Sequence, residues 1–173
     1  MIYLVRHGET DWNLFKRCNG VTDTFLNQTG INQANMQAKN MENIDFDICF
    51  CSPQTRARQF CEIIYKNSAV YDDRLAEIYC GEFEGKEETA EMMKLFWRAI
   101  QTGDKGTECF RDFIKRNCDF CDLITERHKR KNVLIVTHAA NTRVINYYFT
   151  GKPDNYDFTK RVVDKGGLIT FVN

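Results

Sequence analysis

The sequence predicts an α/β layered fold around a largely parallel sheet. Two short runs, Ile2-Tyr3-Leu4-Val5 and Val133-Leu134-Ile135-Val136, are uniformly apolar, as strands buried on both faces must be. Strand-like and helix-like segments alternate along the chain, the order expected of βαβ units whose crossovers cover both faces of a sheet. At 173 residues the chain has the length of about one domain, and it is long enough to bury a core without covalent staples. A single domain over residues 1–173 is therefore expected.

The first strand, Ile2 to Val5, stops abruptly at Arg6-His7-Gly8-Glu9-Thr10. A loop follows. Asn27 is then placed to cap a helix, with Leu26 and Ile31 spaced as a hydrophobic staple, and Ile31, Ala34, Ala38 and Met41 form its apolar stripe. A second strand from about Phe46 to Cys51 runs into Ser52-Pro53, which reads as a cap followed by proline at the first helical position. That helix extends to about Lys66. A short strand near Ala69 to Tyr71 leads into an acidic, glycine-containing stretch, Asp72 to Gly85. Two helices are predicted next, roughly Glu87 to Gln101 and Glu108 to Lys129, separated by Gly103-Asp104-Lys105-Gly106. The cationic run Arg127 to Lys131 suits a solvated helix C-terminus. The strand Val133 to Val136 delivers Thr137-His138, a helix from about Asn141 to Phe149 follows, and Leu168 to Val172 closes the order.

Composition excludes several functions. The 24 Lys and Arg balance 24 Asp and Glu, whereas a nucleic-acid binder shows a basic excess or stripe. No apolar run approaches the ~20 residues of a membrane span, and Met1 to Val5 lacks the basic lead and length of a signal peptide. A cytoplasmic location is expected, with neither nucleic-acid nor membrane partners. The eight cysteines lie in apolar periodic segments instead of loops. Cys118 and Cys121 form a C-x-x-C, but at helical spacing on a stripe from Phe110 to Ile124 they read as core packing. A redox C-x-x-C opens a helix instead of sitting in its middle.

Ligands of open α/β sheets bind outside the carboxyl ends of the strands. Arg6 and His7 follow the first strand, Ser52 and Arg56 the second, and His138 the strand at 133–136. Of only three histidines, two directly follow the two most apolar strands. One such histidine would ordinarily be a hydrogen-bonded packing residue; two, with two arginines at the same edge, indicate a site. Guanidinium forks match phosphate oxygens, and the helix after His138 would turn its N–H groups to the same place. An imidazole kept neutral by neighbouring arginines is a competent nucleophile toward phosphorus.

The motifs then resemble those of the histidine phosphatase superfamily, the phosphoglycerate mutase-like proteins. Leu4-Val5-Arg6-His7-Gly8-Glu9-Thr10 with Trp12-Asn13 is similar to the family's opening motif. Arg17, Asn19-Gly20, Asp23, Leu26, Gly30 and Gln33-Ala34 follow its next segment. Ser52-Pro53-Gln54-Thr55-Arg56-Ala57 resembles its S-P-x-x-R-A motif, and Leu75-Ala76-Glu77 through Gly85 its acid-bearing stretch. Gly106-Thr107-Glu108-Cys109 and Val136-Thr137-His138 match its later blocks. The resemblance implies a phosphoglycerate mutase-like, three-layer α/β/α sandwich around a mostly parallel sheet. It implies that His7 is the nucleophile and becomes phosphorylated, that Arg6, Arg56 and His138 hold the transferring group, and that Glu77 is the acid and then the base. Asn13, Asn19, Gly20 and Ala139 fall where the substrate phosphate is bound. A phosphate dianion beside such a carboxyl favours its protonated form. Arginines and imidazoles carry the compensating charge, so neither metal nor cofactor is required.

Departures from the family pattern are visible. Ala139-Ala140 stand where glycine usually follows the second histidine, Asn19 replaces the more usual glutamine, and Cys80 and Cys109 replace an aromatic residue and a serine. Glu9, Glu82 and Glu84 are rival carboxylates; Glu84, before Gly85, reads as a turn residue, and Trp12 as wall or core. The sequence favours hydrolysis of a small phosphorylated metabolite over mutase-type transfer, because the stretch between Gly85 and Val133 reads as two plain helices. A weakly active phospho-ligand-binding relative is the remaining alternative. Selectivity would lie in Asp72 to Thr107, where Lys86, Lys94, Trp97 and Arg98 offer possible contacts but read rather as solvated helix residues. Neither the metabolite nor the oligomeric state is written in the sequence.

Overall fold

A computed structural model of the chain describes residues 1–151 and 163–172. Its strands are β1 (Ile2–Arg6), β2 (Ile48–Cys51), β3 (Val70–Tyr71), β4 (Val133–Thr137) and β5 (Leu168–Phe171). They form one sheet in the order β3-β2-β4-β1-β5. The first four are parallel, and only β5 runs antiparallel, against β1. Helices α1 (Asp11–Leu14), α2 (Gln28–Asn40), α3 (Thr55–Ile64), α4 (Ala90–Ala99), α5 (Phe110–Arg127) and α6 (Ala139–Thr150) connect and cover it.

The three layers follow from the two-residue period of the strands. Along β4, Leu134 and Val136 face a core shared with Ala34 of α2, its C-cap Met41, and Ala57, Phe60 and Cys61 of α3. Val133 and Ile135 face the opposite core, with Phe120, Cys121 and Ile124 of α5 and Ile145 of α6. Neither face of this strand meets water, so alternation of polar residues would be penalised at every position. A third apolar cluster packs Ile78, Cys80, Phe83, Met92, Phe96 and Ile100 beneath α4 and the start of α5. All eight cysteines carry thiols: Cys121 is fully buried and Cys118 partly so, as packing residues.

Several boundaries differ from the sequence expectation, each for a tertiary reason. Ser52 does not cap α3, whose N-cap is Gln54, without a side-chain cap bond. Asp23 takes that role from across the chain, accepting from the Thr55 N–H at 2.7 Å and the Thr55 hydroxyl at 2.5 Å, which releases Ser52 for the site. Helix α3 ends at Ile64, short of Lys66. Helix α4 starts at Ala90 with Thr89 as its cap, because the Glu88 N–H is tied to the Lys16 carbonyl at 2.7 Å and Glu87 bridges to Arg17. Helix α5 starts at Phe110, since Glu108 is held to Tyr79. Helix α6 begins at Ala139, directly after its cap His138, two residues before the expected start. Asn27 does cap α2, accepting from the Gly30 N–H at 2.9 Å.

One turn of helix, α1, occupies part of the expected loop; Thr10 and Asn13 form a reciprocal capping box there. The α2 N-terminus lies directly against the turn after β1. A Cβ on Gly8 would come within 2.6 Å of the Gly30 carbonyl oxygen, so both glycines permit an approach that no other residue would.

Candidate active site

Parallel strands deliver their following residues to one edge, and there the structure opens a cavity of about 340 Å³. Arg6, His7, Asn13, Asn19, Gly20, Arg56, Glu77 and Ala139 all line it, so eight of the nine site residues expected from sequence converge on one space. His138 is the ninth. It is fully buried behind the wall and packs edge-on against His7, ring centroids 4.9 Å apart.

His7 is 3 % exposed. Its Nδ1 lies 2.7 Å from the Gly8 carbonyl oxygen. A carbonyl can only accept, so Nδ1 carries the proton and Nε2 keeps its lone pair. The Nε–H of Arg56 points at that Nε2 from 3.4 Å, consistent with the same tautomer. Burial, then the charges of Arg56 and Arg6, hold the His7 pKa well below its ordinary value. The same causes, with His7 itself, depress His138. Its Nε2 lies 2.7 Å from the Ser52 hydroxyl, and its buried Nδ1 has no partner among the described residues.

Arg56 is a buried cation held by carbonyl oxygens: Nη1 donates to Thr22 O at 3.0 Å and Nη2 to Gly20 O at 2.8 Å. Glu77, Asp23 and Glu84 act on it only as neighbouring charges, without an ion pair. A charge taken out of water without a bonded counter-ion is costly, and an anion in the cavity would offset that cost. The loop supplying its carbonyls is held in turn by Glu84. That carboxylate accepts from the N–H groups of Val21 (2.9 Å), Thr22 (2.8 Å) and Cys80 (3.2 Å) and from the Thr22 hydroxyl. Glu84 is thus a turn residue, as its sequence position suggested. Gly20 is required beside it: its φ is +50°, and a Cβ would meet Glu84 Oε1 at 2.2 Å.

Glu77 presents its carboxylate at the α6 N-terminus. Oε2 accepts from the Ala140 N–H at 3.4 Å and Oε1 from the Ile78 N–H at 3.0 Å. The alanine pair therefore leaves the helix N-terminus at the cavity, with Ala139 and Ala140 both on its wall. Asn13 spends its Oδ1 on the Thr10 N–H. Asn19 donates to Arg17 O at 3.2 Å and accepts from the Thr24 hydroxyl at 3.0 Å, which shapes the loop.

The rival Glu9 pairs with Lys165 at 2.5 Å and accepts from Asn27 at 3.2 Å. Hydrogen bonds from Lys165 and Asn27 lower its pKa, which suits a fixed anion and not a proton donor. Glu82 lies 3.7 Å from Lys105 in an exposed pair. Trp12 packs over Gly85 and does not line the cavity. Trp97, by contrast, stands on the cavity wall and is no solvated residue, whereas Lys86 rests over the Phe83 ring and Lys94 and Arg98 are exposed.

No motif in the sequence marks the residues that hold the Glu77 segment in place. Gln54 bridges the two halves of the site, accepting from the Glu77 N–H at 2.7 Å and donating to Gly20 O at 3.1 Å. Arg116 donates to the carbonyls of Arg74 (2.6 Å), Ala76 (2.7 Å) and Glu77 (3.1 Å) and grips both carboxylate oxygens of Glu108 at 2.6 and 2.9 Å. Nothing local signals this clamp, since residues 108 and 116 are not neighbours on a helix face. Lys165, Glu88 and Arg143 also reach the cavity from segments with no motif.

The family model described as histidine phosphatase superfamily (branch 1) matches residues 2–170. A Bacillus subtilis protein named as an uncharacterized phosphatase, PhoE, is 30 % identical over 167 residues, covering 93 % of this chain and 83 % of that one. A phosphoglycerate mutase of Schizosaccharomyces pombe is 26 % identical, covering 84 % and 77 %. Among solved structures, an alpha-ribazole phosphatase from Shigella flexneri superposes with a TM-score of 0.83 at 25 % identity, covering 96 % of this chain and 87 % of that one.

Proposed function

The chain belongs to the histidine phosphatase superfamily, and from that premise we propose that it is a metal-independent phosphomonoester hydrolase. It acts through a phosphohistidine on a small phosphorylated metabolite. One observation carries the reading: the Gly8 carbonyl fixes the His7 proton on Nδ1, leaving Nε2 unprotonated with a long 3.4 Å approach from the Arg56 Nε–H, and the ring has a depressed pKa inside a cavity that also holds Arg6, Arg56 and Glu77.

The phosphoryl group binds against Arg6 and Arg56, with the α6 N-terminus adding backbone N–H groups. His7 Nε2 attacks phosphorus, the P–O bond to the alcohol breaks, and Glu77 gives its proton to the departing oxygen. The Gly8 carbonyl stabilises the Nδ1–H as positive charge develops on the ring. The ionised Glu77 then takes a proton from water, whose oxygen attacks phosphorus while the N–P bond breaks. Inorganic phosphate leaves, neutral His7 returns and Glu77 is again protonated. The fixed cations stabilise charge on the transferring group without reorganising, the largest contribution expected in such a site. His138, packed on His7 and held by Ser52, keeps the nucleophilic ring in place.

The test is acid-quenched turnover of a phosphomonoester, with chemical detection of acid-labile phosphate on His7. Product formation without that adduct overturns the reading. His7→Ala abolishes turnover. Glu77→Gln slows alkyl esters far more than p-nitrophenyl phosphate, whose leaving group needs no proton; equal losses would remove Glu77 from the role of acid. The similarity to a phosphoglycerate mutase gives the transfer reading its support. Release of inorganic phosphate, against recovery of an isomerised phosphoglycerate, separates the two.

A further inference from the structure

The phosphoryl group accounts for one end of the cavity; the rest has a different chemistry. Ile78, Met93, Phe96, Trp97, Ile100 and Phe110 form a continuous apolar wall from the segment after Glu77, from α4 and its C-cap, and from the first residue of α5. Phe96, Trp97 and Phe110 are in successive ring contact, with centroids 5.8 and 6.1 Å apart. Met93, Trp97 and Phe110 are only partly covered, so apolar surface remains facing the cavity. Such surface gains from being covered, and aromatic faces and a thioether accept a flat ring well.

The charges on the walls point the same way. Beyond Arg6 and Arg56, the described cations of the cavity are Lys165 and Arg143. Lys165 is committed to Glu9 at 2.5 Å. Glu88, on the same cavity, has its pKa raised by burial, and Arg6 and then Arg143 act against that shift as neighbouring charges. Among the described residues, Lys165 thus has a bonded carboxylate and Arg143 a neighbouring one, and no further cation lines the cavity for a second anionic group. Among the described residues, a substrate carrying its own carboxylate would meet Glu77 and Glu88 with no dedicated counter-charge.

Resting on the phosphatase reading, we propose that the substrate is a phosphomonoester of an alcohol bearing an uncharged aromatic group, whose ring lies against Met93, Trp97 and Phe110. Phosphoglycerates and other esters with a second acid group are poor substrates. Trp97 and Phe110 determine specificity and take no part in the bond-breaking step.

The experiment compares three alkyl esters with similar leaving groups: 2-phenylethyl phosphate, glycerol 3-phosphate and 3-phosphoglycerate. The expected kcat/KM for 2-phenylethyl phosphate exceeds the other two by at least about tenfold, the order that differences in apolar contact deliver. Trp97→Ala and Phe110→Ala each collapse that ratio toward one, chiefly through KM, while Lys94→Ala on the exposed face of α4 leaves it unchanged. Equal or better turnover of 3-phosphoglycerate or glycerol 3-phosphate overturns this proposal and leaves the phosphatase reading intact. Should no ester turn over, the phosphatase reading falls. Calorimetric binding of 2-phenylethylphosphonate against inorganic phosphate then decides the aromatic subsite on its own, and equal affinities overturn it. The same calorimetry covers the case in which an alanine variant does not fold.

Discussion

Replacing Glu84 by Gln tests whether a residue outside the reaction sets the position of Arg56. Each carboxylate oxygen accepts two hydrogen bonds, Oε1 from the N–H groups of Val21 and Cys80, Oε2 from the N–H and hydroxyl of Thr22. An amide keeps its oxygen on the Val21 and Cys80 N–H groups and turns its NH2 toward Thr22, whose hydroxyl reverses to accept from it. The Thr22 N–H alone is left facing a donor. At ~1–3 kcal/mol for a donor left unsatisfied, discounted because the Glu84 side chain is partly exposed, the loss is about 1–2 kcal/mol. For a chain of this length that lowers Tm by on the order of 5 °C. The same loop carries Gly20 O and Thr22 O, which hold the Arg56 guanidinium. The fork proposed to hold the phosphoryl group therefore loosens with the loop, and kcat/KM falls on the order of tenfold. Thermal unfolding by circular dichroism and steady-state kinetics on one phosphomonoester measure both effects. A variant with unchanged Tm and unchanged kcat/KM would refute the link from Glu84 through the loop to Arg56. A lower Tm with unchanged kcat/KM would show that the loop is structural only.

Two further outcomes follow from the site. His7 and His138 have folded pKa values below the ordinary 6.5, so below pH 6.5 the unfolded chain binds more protons than the folded one. Stability accordingly falls as pH drops from about 6.5 toward the folded values, and a Tm unchanged from pH 7 to pH 5 would contradict the burial of neutral imidazoles. Arg116→Lys keeps the charge but loses the fork that joins Glu108 to three carbonyls, which an ammonium cannot span. It should lower kcat on alkyl esters by about tenfold or more with little change in KM, because the loop bearing Glu77 is no longer aimed; a purely structural role would leave the kcat ratio between alkyl and p-nitrophenyl esters as in the wild type.

Most of what could be read directly concerned residues whose signal is local. Ile2 to Val5 and Val133 to Val136 announce central parallel strands, because burial on both faces removes every reason for a polar residue. Asn27 announces its helix, because a cap acts on N–H groups two and three residues away. Arg6, His7, Arg56, Glu77 and His138 stand out because parallel strands all discharge at one edge, so sequence position after a strand becomes position in space. Ser52 misled: serine before proline has the form of a cap, yet its hydroxyl turns to His138 while Asp23 caps α3 from 32 residues away.

The sequence by itself determined the layered sheet, the edge at which chemistry would occur and the types of group gathered there, since each depends on periodicity or on a short run of neighbours. Tertiary structure alone decided that His138 stands behind His7 instead of on the cavity wall, that Arg116 and Gln54 aim Glu77, and that Trp97 lines the cavity while Lys94 on the same helix faces solvent. These arrangements join segments tens of residues apart through hydrogen bonds and packing, and such pairings leave no periodic trace in the chain.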